Sequence, residues 1–432
     1  MKIAVAGLWH LGTVTAGCLA AIGHDVVAYD NDQTIVEDFA ENRLPVAEPG
    51  LLDLVRAAKS RGKLKFTWNA ADLASSEVIW VCFETPLDEK DVADVNFVHD
   101  QVMQLLPRLG DGTMVLISSQ VPVGSTARLE AAYSRLPERH RISFAYSPEN
   151  LRLGNAIEAF AKADRIVVGT RLDRDRERLR QLLSPLTKEI CWMSIESAEM
   201  TKHALNAFLA TSIAFINEIA AICEETSADA REVERGLKTD SRIGRRAYLH
   251  AGGAFTGGTL ARDLQFLLKL AEDRGVSAQL LSGVRRSNES HKSWVQRRVL
   301  ELIDDLPHST VAVLGLTYKP GTNTLRRSGA VEFCHWAVAQ GAEVTAFDPA
   351  VRELPSELAF IRLKNSVAEA LHGAHAALIA TTWPEFLDLG ADAFADNMRR
   401  PIVIDPSRFL EHKLARDSYI EYIGFGKGNE VS

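Results

Sequence analysis

This chain is poor in thiols and short of positive charge. Its five cysteines among 432 residues (Cys18, Cys82, Cys191, Cys223 and Cys334) are scattered, odd in number and without Cys-x-x-Cys spacing. That argues against a disulfide framework and a cysteine zinc site, and fits reduced thiols in a cytoplasmic protein. Lys and Arg number 49 against 57 Asp and Glu, a net charge of −8. A protein that grips nucleic-acid phosphates needs basic surface to displace counterions. Basic stretches here are no longer than pairs such as Arg245-Arg246 and Arg326-Arg327, so no nucleic-acid partner is expected. Local basic pockets for a phosphorylated ligand stay open. The 12 histidines show no metal-ligand spacing, and no metal is expected. Long apolar runs are also missing. The most apolar window, 205–223, contains Asn206, Asn217 and Glu218 and reads as a buried helix, not a membrane span. The N-terminus does not read as a secretion signal, because Gly7 and His10 interrupt its apolar run.

What is present is alternation. A length of 432 residues predicts two or three domains. Strand-like runs at 3–6, 25–29, 78–82, 114–118, 142–145 and 166–169 alternate with helical patterns, which predicts βαβ units and a mostly parallel sheet. From Ser194 to about Glu225 the pattern is helical, with neither Gly nor Pro, and Ser194 or Ser197 is a plausible N-cap. Such a helix is about 45 Å long and suits a connection between domains or a dimer seam. The strand rhythm restarts at Thr310. "AEVTAFDP" (342–349) echoes "HDVVAYDND" (24–32), and "AALIATTW" and "PIVID" follow as strands. The predicted architecture is α/β: two Rossmann-like parallel-sheet domains joined by a long central helix. The expected boundaries are 1–193, 194–298 and 299–432, with a loose tail over 424–432.

The first strand runs into "GLWHLG" (7–12), where a dinucleotide-binding chain carries Gly-x-Gly-x-x-Gly. Gly7 suits a tight turn. Gly12 suits close packing of the next helix on the strand, with that helix's N-terminus facing a pyrophosphate. Asp30 lies 18 residues after Gly12, at the end of the second strand, where an acid accepts from ribose hydroxyls and disfavours a 2′-phosphate. NAD is therefore preferred to NADP. Trp9 stands at the middle glycine's position. Its ring either folds aside or blocks the crevice, and the residues alone leave both readings open. His10 alone reads as a packing or surface residue.

With these motifs and several more, the chain resembles the UDP-glucose/GDP-mannose dehydrogenases over nearly its whole length. "LPVAEPGL" (44–51), "ETP" (84–86), "SSQVPVGST" (118–126), "SPENLRLG" (147–154), "EMTKHALN" (199–206), "SRIG" (241–244), "GLTYKPGTNTLRRS" (315–328) and "TTWPEF" (381–386) are each similar to a family motif, in order. The resemblance implies an NAD site at Gly7, Trp9, His10, Leu11, Gly12, Asp30, Thr85, Gln120, Arg262 and Arg326. It implies a nucleotide-sugar site at Asn150, Leu151, Arg242, His250, Phe255, Gly257, Tyr318 and Lys319. Arg242 matches an arginine that crosses to a neighbouring subunit, so a homodimer is expected.

The implied catalytic residues are Lys202, Asn206, Asp263, Glu149 and Thr259. Independently, Glu199, Lys202 and Asn206 share one helix face, and a lysine on an apolar helix is costly to bury unless paired or poised for proton transfer. The family oxidises a sugar CH2OH to a carboxylate with two NAD, capturing the intermediate aldehyde on a cysteine. Here "GGAFTGGTLARD" (252–263) aligns Thr259 with that cysteine, Arg262 with a lysine and Asp263 with the aspartate; matching the double glycine instead puts Leu260 there. A hydroxyl is far less acidic than a thiol, which titrates at about 8.5, and needs a strong adjacent base. Altered or single-step oxidation of a nucleotide sugar is therefore expected. The alternatives are a catalytically silent sugar-nucleotide binder and a dehydrogenase of the 3-hydroxyacid type.

Overall fold

The computed structural model describes residues 1–46, 48–86, 93–137, 139–149, 151, 154–256 and 259–428. The chain divides into two compact units, Met1–Leu205 and Asn206–Ser432, and the division falls within the central helix.

The first unit contains β1 (Lys2–Ala6), β2 (Asp25–Tyr29), β3 (Leu64–Thr67), β4 (Val78–Val81), β5 (Met114–Ile117), β6 (Ser143–Tyr146), β7 (Ile166–Thr170) and β8 (Ile190–Met193). They form one sheet in the order β3-β2-β1-β4-β5-β6-β7-β8. Strand order reverses at β1, which pairs with β2 on one side and β4 on the other. In open α/β sheets, ligands bind beyond the carboxyl ends of the strands at such a reversal. Inner strands are apolar throughout because helices cover both faces: β4 reads VIWV and β5 reads MVLI, all buried. The sheet is not wholly parallel. β7 runs antiparallel to β6, with Ala145 opposite Thr170. Among its described residues, the connection between them holds one helix, Ala156–Ala161, about 9 Å long and too short to carry the chain back across the sheet.

The second unit contains β9 (Thr310–Leu314), β10 (Glu343–Phe347), β11 (Arg362–Leu363), β12 (Ala376–Ile379), β13 (Ile402–Asp405) and β14 (Glu421–Gly424), in the all-parallel order β11-β10-β9-β12-β13-β14. Here β9 repeats the role of β1.

The central helix spans Ile195–Glu224. Ser194 Oγ accepts from the Ser197 amide at 3.2 Å and caps its start. By length and composition this helix could cross a membrane. It is not buried all round as the sequence suggests. One face packs Ala207, Ala210 and Ala214 on Leu264 and Val284, while Phe208, Phe215 and Ile222 are exposed at 67%, 46% and 59%.

The tail also differs from expectation. Residues 424–428 are fixed, because β14 joins the sheet edge and Phe425 is buried against Trp294, ring centroids 5.1 Å apart. Gly426 then donates to Glu224 Oε1 at 3.1 Å and accepts from the Ala230 amide at 2.9 Å.

Candidate active site

The turn after β1 is built as its glycines require. Gly7 has φ +93°, and a Cβ there would meet the Phe83 amide nitrogen at 2.6 Å. A Cβ on Gly12 would meet the Gly7 carbonyl oxygen at 1.7 Å. Gly12 thus permits the helix His10–Ala21 to start directly on the turn, and the first amides of a helix have no partner within it and suit an anion. Asp30 closes β2 and is buried; its Oδ2 accepts from the Leu8 amide at 2.7 Å and its Oδ1 from the Asp32 amide at 3.0 Å. Each oxygen keeps a lone pair for a ribose hydroxyl. The cradle, the helix start and the acid together fit a dinucleotide. Trp9 sits at the helix N-cap with its side chain turned out, 42% exposed. Leu11 packs on the domain core. Thr85 is buried and donates to the Gln120 carbonyl at 2.6 Å, joining the loops after β4 and β5.

His10 does not stand alone. Its Nε2 lies 2.9 Å from Glu48 Oε2, which also accepts from the Gly154 amide at 2.8 Å; Glu48 Oε1 accepts from the Ala156 amide at 2.8 Å. Burial pushes the Glu48 carboxyl up, but the Ala156, Gly154 and His10 hydrogen bonds outweigh it, and the group sits below its usual value. Glu48 lies in the "LPVAEPGL" motif, to which the sequence assigned no role.

Lys202, Glu199 and Asn206 are all buried on the central helix. Lys202, 6% exposed, donates to the Glu149 carbonyl at 2.6 Å and reaches Glu149 Oε1 at 3.5 Å. An exposed lysine on a solvated face is thereby excluded. Glu149 Oε2 accepts from the Leu151 amide at 2.7 Å. Glu199 plays a different part. Its carboxylate accepts from Gly124 N, Thr126 N and Thr126 Oγ1 at 2.6–2.9 Å, anchoring the start of the helix Ser125–Ser134. Burial raises its pKa, and those hydrogen bonds oppose the rise.

In the second unit, Asn206 donates to Asp263, which is fully buried on the helix Thr259–Asp273. Thr259 opens that helix and is exposed; among the described residues none hydrogen-bonds its hydroxyl. Arg262, one residue before Asp263, is half-buried. Phe255 is held by Asn288, which accepts from its amide at 2.9 Å and donates to its carbonyl at 2.8 Å. Asn217 and His291 hold Gly252 likewise, at 3.0 and 2.6 Å. The sequence offered no signal for these three, since each acts across 33–39 residues. Arg242 is exposed and paired with Asp240 at 2.7 Å; His250 lies 3.1 Å from Glu234. Lys319 Nζ lies 5.7 Å from the Tyr318 ring centroid, and Arg326 is exposed on the same loop. Asn150 and Gly257 fall outside the described residues.

Among the described residues, the two thiols nearest the cofactor turn in sequence are both buried. Cys82, at the end of β4, is buried, and burial raises its pKa far above the thiol range. Cys18 is buried and pushed up to about 12.

The second unit repeats the cofactor turn with different chemistry. Gly315 has φ +90° and donates to the Phe347 carbonyl at 2.8 Å, as Gly7 does to Tyr29 at 2.9 Å. Asp348 takes the place of Asp30, but its Oδ2 accepts from Leu316 N, Thr317 N, Thr317 Oγ1 and Trp383 Nε1 at 2.7–3.1 Å. That oxygen is saturated, and no ribose diol can claim it as it could Asp30.

The UDP-glucose/GDP-mannose dehydrogenase family matches the chain in three parts: its NAD binding domain at residues 1–187, its central domain at 196–290 and its UDP binding domain at 312–412. UDP-glucose 6-dehydrogenase of Pseudomonas aeruginosa is 32% identical over 444 residues, covering 99% of this chain and 98% of the relative. The Rhizobium meliloti UDP-glucose 6-dehydrogenase is 34% identical, covering 94% of each. Among solved structures, a UDP-glucose dehydrogenase from Pyrobaculum islandicum superimposes with a TM-score of 0.85 at 28% identity, covering 98% of this chain and 96% of that one.

Proposed function

Because the chain belongs to the UDP-glucose/GDP-mannose dehydrogenase family, we propose that it oxidises one carbinol of a nucleotide sugar with NAD and stops after that single oxidation. Two separate observations carry this reading: in the first unit the buried Lys202–Glu149 pair, and in the second an exposed Thr259 whose hydroxyl meets no base among the described residues. Gly7, Gly12 and Asp30 would hold NAD, with Trp9 beside the pyrophosphate. Bound NAD supplies the acceptor for the hydride that leaves the sugar carbon. The Lys202 ammonium has three donors. Two face Glu149, and the third is left for the carbinol oxygen, where it stabilises the developing negative charge. The carbinol proton passes to the Glu149 carboxylate. Asn206 keeps Asp263 hydrogen-bonded within the second unit, where that acid can order water.

UDP-glucose is the first substrate to test, because the relatives cited are UDP-glucose dehydrogenases. The assay counts NADH formed per sugar consumed. One NADH per sugar is expected, and two would overturn the single oxidation.

A second copy of the chain completes the functional unit. The exposed Phe208, Phe215 and Ile222 recur at helical spacing along the central helix, and they support a seam between two copies. Phe215→Arg is expected to convert a dimeric mass to a monomeric one in light scattering. A wild-type monomer at micromolar concentration would refute the dimer.

A further inference from the structure

The "LPVAEPGL" motif has no part in the chemistry above, yet its carboxylate is buried and fully engaged. Glu48's side chain is 1% exposed. It receives three donors from two separate segments: His10 Nε2 from the helix that starts the cofactor turn, and the Gly154 and Ala156 amides from the segment that follows Glu149. The residues after it reinforce the same link. Leu51, Leu54 and Val55 lie where a Cβ on Gly17 of the first helix would touch them, at 3.3–3.6 Å, and Gly50 lies against Ile157. One buried anion thus ties the turn that would hold the pyrophosphate to the segment that holds Lys202's partner.

We propose that Glu48 is a positioning residue that transmits cofactor occupancy at the His10 turn to the Glu149 segment, and so sets the Lys202–Glu149 pair for proton transfer. The catalytic half of this rests on the function proposed above. The transmission half does not. NAD bound at the turn restrains His10, His10 restrains Glu48, and Glu48 restrains the amides of Gly154 and Ala156. Coupling of this kind is measurable as a change at one site caused by a ligand at the other.

Hydrogen exchange reads the transmission without any turnover. In the wild type, adding NAD is expected to slow exchange at the Gly154 and Ala156 amides. His10→Ala removes the Nε2 donor and leaves the two amide bonds to Glu48 in place; at an NAD concentration that calorimetry shows to saturate the variant, basal exchange stays and the NAD-dependent slowing is lost. Glu48→Gln keeps the side chain's shape but turns an accepting oxygen into an N–H that must face a donor. It is expected to raise basal exchange at whichever of the two amides then faces the N–H, and to lower kcat about a hundredfold, as a small misplacement of catalytic groups does. That loss should largely vanish in a Glu149→Gln background, because the two residues act in series.

NAD-independent exchange at Gly154 and Ala156 in the wild type, or kcat losses that multiply in full in the double variant, would overturn the proposal. If Glu149→Gln alone leaves kcat unchanged, the catalytic reading of Glu149 fails, and the exchange measurement still decides the transmission.

Discussion

Replacing Lys202 by methionine separates catalysis from packing. The two side chains have similar length, so the helix face stays filled. Two hydrogen bonds disappear, the 2.6 Å bond to the Glu149 carbonyl and the 3.5 Å contact with Oε1. The stability terms oppose one another. Removing a buried ammonium relieves a desolvation penalty of several kcal/mol, while the Glu149 carboxylate loses its cation. That carboxylate keeps the Leu151 amide at 2.7 Å, and its side chain is 23% exposed, so water replaces part of what is lost. The net change in unfolding free energy is expected to stay within about 1 kcal/mol. The barrier behaves differently. A positioned donor and its proton partner contribute about 10²–10⁴ in rate, or roughly 3–5 kcal/mol. Single-turnover NADH formation from UDP-glucose should therefore slow by about that factor, with NAD affinity unchanged by calorimetry. A rate within about tenfold of wild type would refute Lys202's role. A melting temperature that collapses would refute the packing argument instead.

Further outcomes follow from the same geometry. Gly12→Ala places a methyl 1.7 Å from the Gly7 carbonyl oxygen, so the helix must shift off the turn; NAD titration should show weakening of about a hundredfold or more. Unchanged affinity would mean the dinucleotide binds elsewhere. Arg408, 5% exposed and at φ +52°, donates to both oxygens of Asp229 and both of Glu411. Arg408→Met strips Asp229 of its ion-pair partner, while Glu411 keeps Arg231 at 2.9 Å, and should cost about 3 kcal/mol in urea unfolding at neutral pH. The Arg408 hydrogen bond is the main cause that holds the Asp229 pKa below its usual value, against burial. A depressed carboxylate stabilises the fold above its unfolded pKa of about 4, and that contribution is lost as pH falls through the folded value. The wild type should therefore lose stability below about pH 4 more steeply than Arg408→Met. Parallel acid limbs in the two proteins would refute the pairing.

Inner strands were legible in the sequence, and edge strands were not. Every inner strand of both sheets stands out as an apolar run, because parallel strands covered on two faces must be apolar throughout. The four strands that went unrecognised, β3, β8, β11 and β14, are the four sheet edges, and none is fully buried; β3, β11 and β14 carry polar or charged residues, while β8 is apolar but only half-buried along its length. Their partner strand holds them, not their own composition. The tail was misread for a related reason, since Phe425 and Gly426 are held by Trp294 and Glu224, which lie far away along the chain.

The site shows the same division. Local spacing sufficed for the cofactor turn: Gly7, Gly12 and Asp30 act through backbone geometry within one βαβ unit, and residue order alone carries that. It also sufficed to set Lys202, Glu199 and Asn206 on one helix face. It could not say that Glu199 anchors a helix while Lys202 meets Glu149, because those partners lie 73–75 and 53 residues away. Nor could it say where the Trp9 ring goes, that His10 belongs to Glu48, or that Asp348 is saturated by Trp383. The chain's order determined which groups are present and which backbone turns they can make. Only tertiary packing decided which acid meets which donor, because a buried charge takes its partner from whatever the fold brings within about 3 Å, at any distance along the chain.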